Sequence, residues 1–203
     1  MLQAFTIAES TLVLLKRLQQ LPVLDGLRLV GGTALALQLG HRNSVDLDFF
    51  GVIDKSADEI KSDLESIGLN VHPERVSKII KIFMVDEVKV DIVGNHPDWF
   101  SPPIEMEGVR MAGLQDIAAM KLHAITNRGR KKDFIDLYFL LQHFSLKQML
   151  EFYEKKYPKN NLFFVIRSIS YFKDAESDSM PKMFIDVSWD EMKSSIQSAI
   201  ENF

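Results

Sequence analysis

The chain has 203 residues, no cysteine and a formal net charge of -4, with 46% hydrophobic and 26% charged residues. That balance is ordinary for a globular chain with one substantial core or two small ones, and it excludes disulfides and thiolate metal sites. The negative total argues against a bulk polyanion binder but leaves room for a local basic cleft. No apolar run reaches the length of a membrane span. The N-terminal stretch MLQAFTIAESTLVLLKRL carries charges where a secretory signal needs an uninterrupted apolar core, so a cytoplasmic location is expected.

In chain order, residues 7–20 show helical apolar spacing through Leu12, Leu15 and Leu18, broken by Pro22 and Gly26. Residues 27–30 read as a short strand, 33–39 as a short helix and 45–50 as a second strand. Ser56 with Glu59 makes a capping box that opens a helix ended by Gly68. Residues 78–85 and 88–93 are β-rich runs joined by Asp86-Glu87, the pattern of a hairpin. The segment 95–103, with Pro97, Pro102 and Pro103, reads as a loop and a boundary. Beyond it the pattern predicts helices over 114–127, 133–144, 146–156, 161–172 and 188–202, with a polar loop at 174–181. The expected layout is an α/β core over residues 1–100 and a helical region over 101–203 that completes the active-site cleft.

The most informative run is Gly31-Gly32-Thr33 through Phe50. In a strand, residues two apart project to the same face, about 6–7 Å apart. Asp46 and Asp48 are thereby expected side by side, with Val45, Leu47 and Phe49 facing the other way. Two carboxylates on one rigid face repel unless exposed or bridged by a cation. Hard oxygen donors in this arrangement suit magnesium, which binds through one or two carboxylates plus substrate phosphates. Gly31 and Gly32 let backbone approach a ligand closely, and the helix N-terminus after them offers N–H groups to a phosphate. A lone Gly-Gly is usually a tight turn, and a lone Asp-x-Asp an exposed strand face. Their combination places a phosphate cradle beside metal ligands.

Asp91 sits between Val90 and Ile92 in an otherwise apolar strand, where a carboxylate needs a partner. If that strand lies beside residues 45–50, Asp91 completes a three-carboxylate cluster able to hold two metal ions about 4 Å apart, as in nucleotidyl transfer. Otherwise it is an edge residue facing water. Arg42 is suited to grip a phosphate bidentately, Ser44 to cap or touch the metal shell, and His41 to end the helix. Lys121 lies amid Ile117, Ala118, Leu122 and Ile125, so its ammonium either snorkels to water or reaches a buried anion. Arg128, Arg130, Lys131 and Lys132 form a basic turn, either a solvated connection or a patch for a phosphate backbone. Asp133 and Asp136 share a face of the next helix. Asp133 is also suited to cap that helix, whereas Asp136 between Ile135 and Leu137 is harder to explain as surface.

These two runs, Gly31-Gly32-Thr33 to Asp46-Leu47-Asp48 and Lys121 to Asp133 and Asp136, resemble the AbiEii/AbiGii-type nucleotidyltransferase toxins. Those are toxins of type IV toxin–antitoxin systems within the polymerase-β-like superfamily. The resemblance covers residues 28–50 and 114–141, with Asp91 a looser match. It implies an α+β fold, a polymerase-β-like nucleotidyltransferase core with a small mixed sheet, plus a C-terminal helical region. It implies a nucleoside triphosphate and magnesium (or manganese) as co-substrates. Asp46 and Asp48 would be metal ligands, Lys121 would contact phosphate, and Asp133 with Asp136 would be catalytic or structural. Some relatives transfer nucleotides to the 3′ end of tRNA, which makes an RNA acceptor and a cognate antitoxin encoded nearby the expected partners. The expected site is then Asp46, Asp48, Asp91, Lys121 and Asp136 for catalysis, with Gly31, Gly32, Thr33, Arg42, Ser44, Lys121 and Asp133 binding the nucleotide. The other readings are nucleotidylation of a small molecule or protein, and a non-catalytic nucleotide-binding protein that keeps the fold.

Overall fold

Seven strands make one mixed sheet in a computed structural model that describes residues 1–94 and 98–203. The strands are β1 (Leu27–Val30), β2 (Leu47–Gly51), β3 (Val71–Val76), β4 (Ile80–Val85), β5 (Val88–Val93), β6 (Ile104–Met106) and β7 (Val109–Met111), in the order β3-β4-β5-β2-β1-β7-β6. β2 runs parallel to β5, and β1 parallel to β7; the other neighbours are antiparallel. Helices α1 (Glu9–Leu18), α2 (Gly31–Leu39) and α3 (Ala57–Ser66) intervene, followed by α4 (Leu114–Asn127), α5 (Lys131–Leu140), α6 (Leu146–Lys156), α7 (Leu162–Ile169) and α8 (Trp189–Glu201).

Two compact units divide the chain: residues 1–38 with 44–112, and residues 39–43 with 113–203. The first is the α+β core. Leu27, Leu29, Leu47, Phe49, Val90 and Ile92 are sealed from solvent, and their alternation with polar neighbours fixes which face of each strand is wet. The capping box at Ser56 and Glu59 is formed, and the hairpin turns at Asp86 and Glu87, both with positive φ. Such a turn matches the twist of the flanking strands.

The second unit is a helical bundle built around α4, whose Ile117, Ala118, Leu122 and Ile125 are buried. Its neighbours are α5, α6 and α7, and α8 packs on α5 through Met192 against Ile135 and Phe139. Residues 41–43 join this unit by pairing with the strand-like segment 182–184: Asn43 N–H donates to Lys182 O at 2.9 Å, and Phe184 N–H to His41 O at 2.9 Å.

Three strands escape the sequence pattern. β3 reads Val-His-Pro-Glu-Arg-Val, and as an edge strand it tolerates a proline and polar faces. β6 and β7 have three residues each, too short for a period to show. The expected loop at 95–103 falls in part on residues 95–97, outside the described residues. No helix among the described residues is long and apolar enough to cross a membrane.

Candidate functional site

Asp48 and Asp91 are register partners in the parallel pair β2–β5, with Leu47 opposite Val90 and Phe49 opposite Ile92. Partners in a parallel pair point to one face, so the apolar residues that bury the sheet on one side force both carboxylates to the other. Asp46 precedes the strand. β2 begins at Leu47 rather than at residue 45, and Val45 is 63% exposed instead of joining Leu47 and Phe49. The cause is local: β1 pairs with β2 only as far as Val30 opposite Asp48, and then turns into α2. The Thr33 hydroxyl lies 2.8 Å from Ser44 Oγ and takes the Asp46 carbonyl as well, tying 44–46 to the first turn of α2. Thr33 and Ser44 thus come together, as positioners of Asp46.

Both glycines belong to α2 rather than to a turn before it. Gly31 has φ +69, in the left-handed region that favours glycine, and a Cβ there would collide with Asp48 Oδ2. A glycine is therefore required twice over, for its backbone angle and for the room it leaves the carboxylate. Asp48 lies against the opening residue of α2, and Gly32 is half-buried beside it.

A cation already answers these charges. Lys89 Nζ stands 2.7 Å from both oxygens of Asp91. Burial pulls the Lys89 pKa down, but Asp91, then Asp48 and Asp46, outweigh it and leave the ammonium above its usual value. All three carboxylates act on one point. Among the described residues no three His, Cys, Asp or Glu side chains are grouped as a metal site. The arrangement is an Asp48–Asp91 pair with Asp46 at its margin and an ammonium in attendance. Hard oxygen donors that draw a cation, two of them on adjacent strands, are a donor set that fits magnesium.

The second cluster lies in the helical unit and centres on Asp136, which is fully buried. Its Oδ1 accepts from His41 Nε2 at 2.8 Å and Arg42 Nε at 2.7 Å, and its Oδ2 accepts from Arg42 Nη2 at 2.8 Å. Lys121 Nζ reaches the same Oδ2 at 2.5 Å and Asp133 Oδ1 at 3.1 Å. Arg128 closes on Asp133 with Nε at 3.0 Å and Nη2 at 3.2 Å. Lys121 therefore reaches a buried anion, the second of its two expected fates. Burial favours the neutral carboxyl, but Arg42 and Lys121 hold Asp136 ionised well below the usual range, and Lys121 with Arg128 does the same for Asp133. The same carboxylates outweigh burial at Lys121 and raise it. Burial lowers His41, leaving it neutral, its ring 4.8 Å from that of Phe139.

Asp136 has no exposure, and all these partners make it the anchor that Arg42 and Lys121 share. Arg42, 3% exposed, spends its fork on Asp136 rather than presenting it outward. The basic turn is also less open than the sequence implies. Lys131 is buried, donating to the carbonyls of Glu176 at 3.1 Å and Asp178 at 2.6 Å. Arg130 pairs with Asp178 at 3.1 Å, while Arg128, Arg130 and Lys132 stay exposed.

The alternation of the strand puts Lys89 on the face of Asp91, but sequence reasoning gave it no role at the site. It also missed a sealed pair between α4 and α6, Lys156 Nζ to Asp116 Oδ1 at 2.8 Å.

Comparison with known proteins agrees with this architecture. A family model described as the nucleotidyl transferase AbiEii toxin of type IV toxin–antitoxin systems matches residues 13–202. An uncharacterised protein of Aquifex aeolicus (strain VF5), aq_aa25, is 31% identical over 194 residues, covering 93% of each chain. Among solved structures, MenT4, a nucleotidyltransferase toxin from Mycobacterium tuberculosis H37Rv, superposes with a TM-score of 0.61 at 15% identity, over 92% of this chain and 82% of that one. JHP933 from Helicobacter pylori does so with a TM-score of 0.59 at 20% identity, over 97% and 94%. The fold is the polymerase-β-like fold of nucleotidyltransferases. The chain belongs to the AbiEii nucleotidyltransferase toxin family.

Proposed function

We propose that the protein transfers a nucleotide from a nucleoside triphosphate to the 3′ hydroxyl of an RNA, with tRNA the leading acceptor, as the toxin of a toxin–antitoxin pair acting in the cytoplasm. The single observation that carries the chemistry is the register of Asp48 with Asp91 beside the glycine that opens α2. In the reaction the acceptor oxygen bonds to the α-phosphorus, pyrophosphate departs, and the hydroxyl proton goes to a base. Asp46, Asp48 and Asp91 are assigned as the metal ligands, and Asp91 also as that base. Magnesium, or manganese, would there offset the triphosphate charge and lower the pKa of the hydroxyl. The backbone of Gly31 and Gly32 would take a phosphate at the α2 N-terminus. Around the buried Asp133 and Asp136 stand three cations, Arg42 and Lys121 within and Arg128 at the exposed edge, a local positive balance that favours an anion nearby.

The test is direct. Purified protein, each labelled triphosphate, magnesium and total tRNA are incubated, and the RNA is resolved on a gel. Label on RNA is expected. Label on a protein or a small molecule instead, from an enzyme shown to be active, moves the assignment to the second reading, which the net charge of -4 favours. A cognate antitoxin, encoded nearby, is the expected protein partner.

A further inference from the structure

Three surface cavities in the helical unit share lining residues in sequence. The first, about 520 Å³, is lined by Arg128, Arg130 and Lys132 together with Asp178. The second, about 170 Å³, shares Arg128 with the first and adds Asn127 and Asp174. The third, about 530 Å³, shares Ser168 and Tyr171 with the second and adds Phe164 and Arg167. The shared lining residues set the three side by side, with Arg130 and Lys132 in the first and Phe164 in the third.

The rings are unusual for a surface. Phe163, Phe164 and Tyr171 are 62%, 57% and 51% exposed, on and just after a helix of eight residues. Phe163 and Phe164 meet edge-on with centroids 5.9 Å apart, which stiffens the pair. Scattered exposed rings need no explanation; Phe164 and Tyr171 lining cavities together with Arg167 and Arg128 call for a ligand with both flat apolar faces and negative charge. Arginine forks match phosphates, and exposed rings stack on unpaired bases. Duplex RNA keeps its base faces inside the helix, so this wall suits a single strand. Asp178 and Asp174 line the same cavities, and Asp178 already holds Arg130 and the Lys131 amide at 3.1 and 3.0 Å. A phosphate entering there takes over partners that a carboxylate now occupies.

We infer that α7 and the turn at 128–132 form a binding track for single-stranded RNA, with Phe164 and Tyr171 as stacking platforms and Arg128, Arg130, Lys132 and Arg167 along its phosphates. The inference rests on the RNA acceptor proposed above and names the surface that reads it. Affinity is measured by fluorescence anisotropy on a short labelled single-stranded RNA and on a duplex of the same sequence. Single-strand binding is expected to weaken about tenfold in Phe164→Ala and in Tyr171→Ala, with duplex binding unchanged. Tyr171→Phe, which keeps the ring, retains affinity. The double change Arg130→Ala with Arg167→Ala lowers the salt dependence by roughly 0.7 in log–log slope per lost contact. All four side chains are exposed, and circular dichroism melts check that the variants fold.

Variants that bind single strands as the wild type does overturn the track, even where the wild type labels RNA. Self-association that disappears in Phe164→Ala overturns it too, because the face then belongs to a second copy. A wild type that labels something other than RNA overturns the acceptor reading, and the track with it.

Discussion

Asp48 on β2 and Asp91 on β5 stand opposite each other in a parallel pair, and Lys89 Nζ, two residues from Asp91, lies 2.7 Å from the Asp91 carboxylate. Two like charges held in register repel, and the fold retains them by bringing a cation to the same face. The pair exists because Leu47, Phe49, Val90 and Ile92 must all be buried. Shifting either strand by one residue would turn the carboxylates into the core.

Asp48→Asn tests whether that pair carries the chemistry. The replacement keeps the shape of the side chain and removes one of the repelling charges. Transfer is expected to fall by at least about 100-fold, the loss of a few kcal/mol of charge stabilisation. The melting temperature should hold or rise. Transfer rates within a few fold of wild type, from a folded variant, would take Asp48 out of the reaction.

Gly31→Ala probes the same carboxylate from beneath. The backbone at φ +69 strains any side chain, and the new Cβ drives against Asp48 Oδ2. A stability loss of about 1–3 kcal/mol is expected in chemical denaturation. Activity should fall further than stability predicts, because Asp48 is displaced. The control Gly68→Ala is strained at φ +78 but meets nothing within 4 Å, so it should cost stability alone.

The alternation of Val90, Asp91 and Ile92 is legible in the sequence because burial of one sheet face has period two. So are the α4 and α6 boundaries, the capping box at Ser56 and the hairpin. The ion-pair network around Asp136 is not, because its partners His41 and Arg42 are about 95 positions away along the chain, on a segment that pairs with 182–184. No local pattern distinguishes a buried counter-ion from a catalytic carboxylate: both put an aspartate among apolar neighbours. The start of β2 fails for a related reason. Residues 45 and 46 alternate like strand, but the Thr33 hydroxyl takes the Asp46 carbonyl, a contact between residues thirteen apart.

Asp136→Asn removes the charge that holds Arg42 and Lys121 while leaving them buried. Breaking a buried pair in this way costs about 3–5 kcal/mol. Urea denaturation of wild type and variant measures it. A loss below about 1 kcal/mol, the scale of an exposed pair, would show that the network is open to water in solution.

The same network sets the pH dependence of stability. Asp133 and Asp136 are depressed in the folded state, so their contribution is complete above the unfolded carboxylate pKa of about 3.9 and is lost as pH falls below it. Lys121 is raised, so its contribution is complete below the unfolded value near 10.5 and is lost as pH climbs through the folded one. His41 and His123 are lowered, and the unfolded chain takes up their protons first, so stability begins to decline below about 6.5. Melting temperatures across pH should show a plateau from about 7 to 10, a shallow fall towards 5 and a steep one below 4. In Asp136→Asn the steep acid limb should flatten. An acid limb of unchanged slope would place the acid-sensitive groups elsewhere.

Lys89→Ala separates the ammonium from the metal that is proposed to share its carboxylates. With Lys89 present, a divalent ion entering beside Asp48 and Asp91 must compete with a charge already 2.7 Å from Asp91. Without it, Asp46, Asp48 and Asp91 repel one another unopposed, so the metal-free variant should melt below wild type. Magnesium binding only the folded chain stabilises by RT ln(1 + [L]/Kd), and removal of the competitor lowers Kd. Titrating magnesium while following the melting temperature should therefore give a larger upward shift in Lys89→Ala than in wild type, at lower concentrations. Asp48→Asn combined with Lys89→Ala should abolish the excess. If magnesium shifts wild type and Lys89→Ala equally, Lys89 and the metal do not share a site, and the metal assignment to Asp46, Asp48 and Asp91 fails with it.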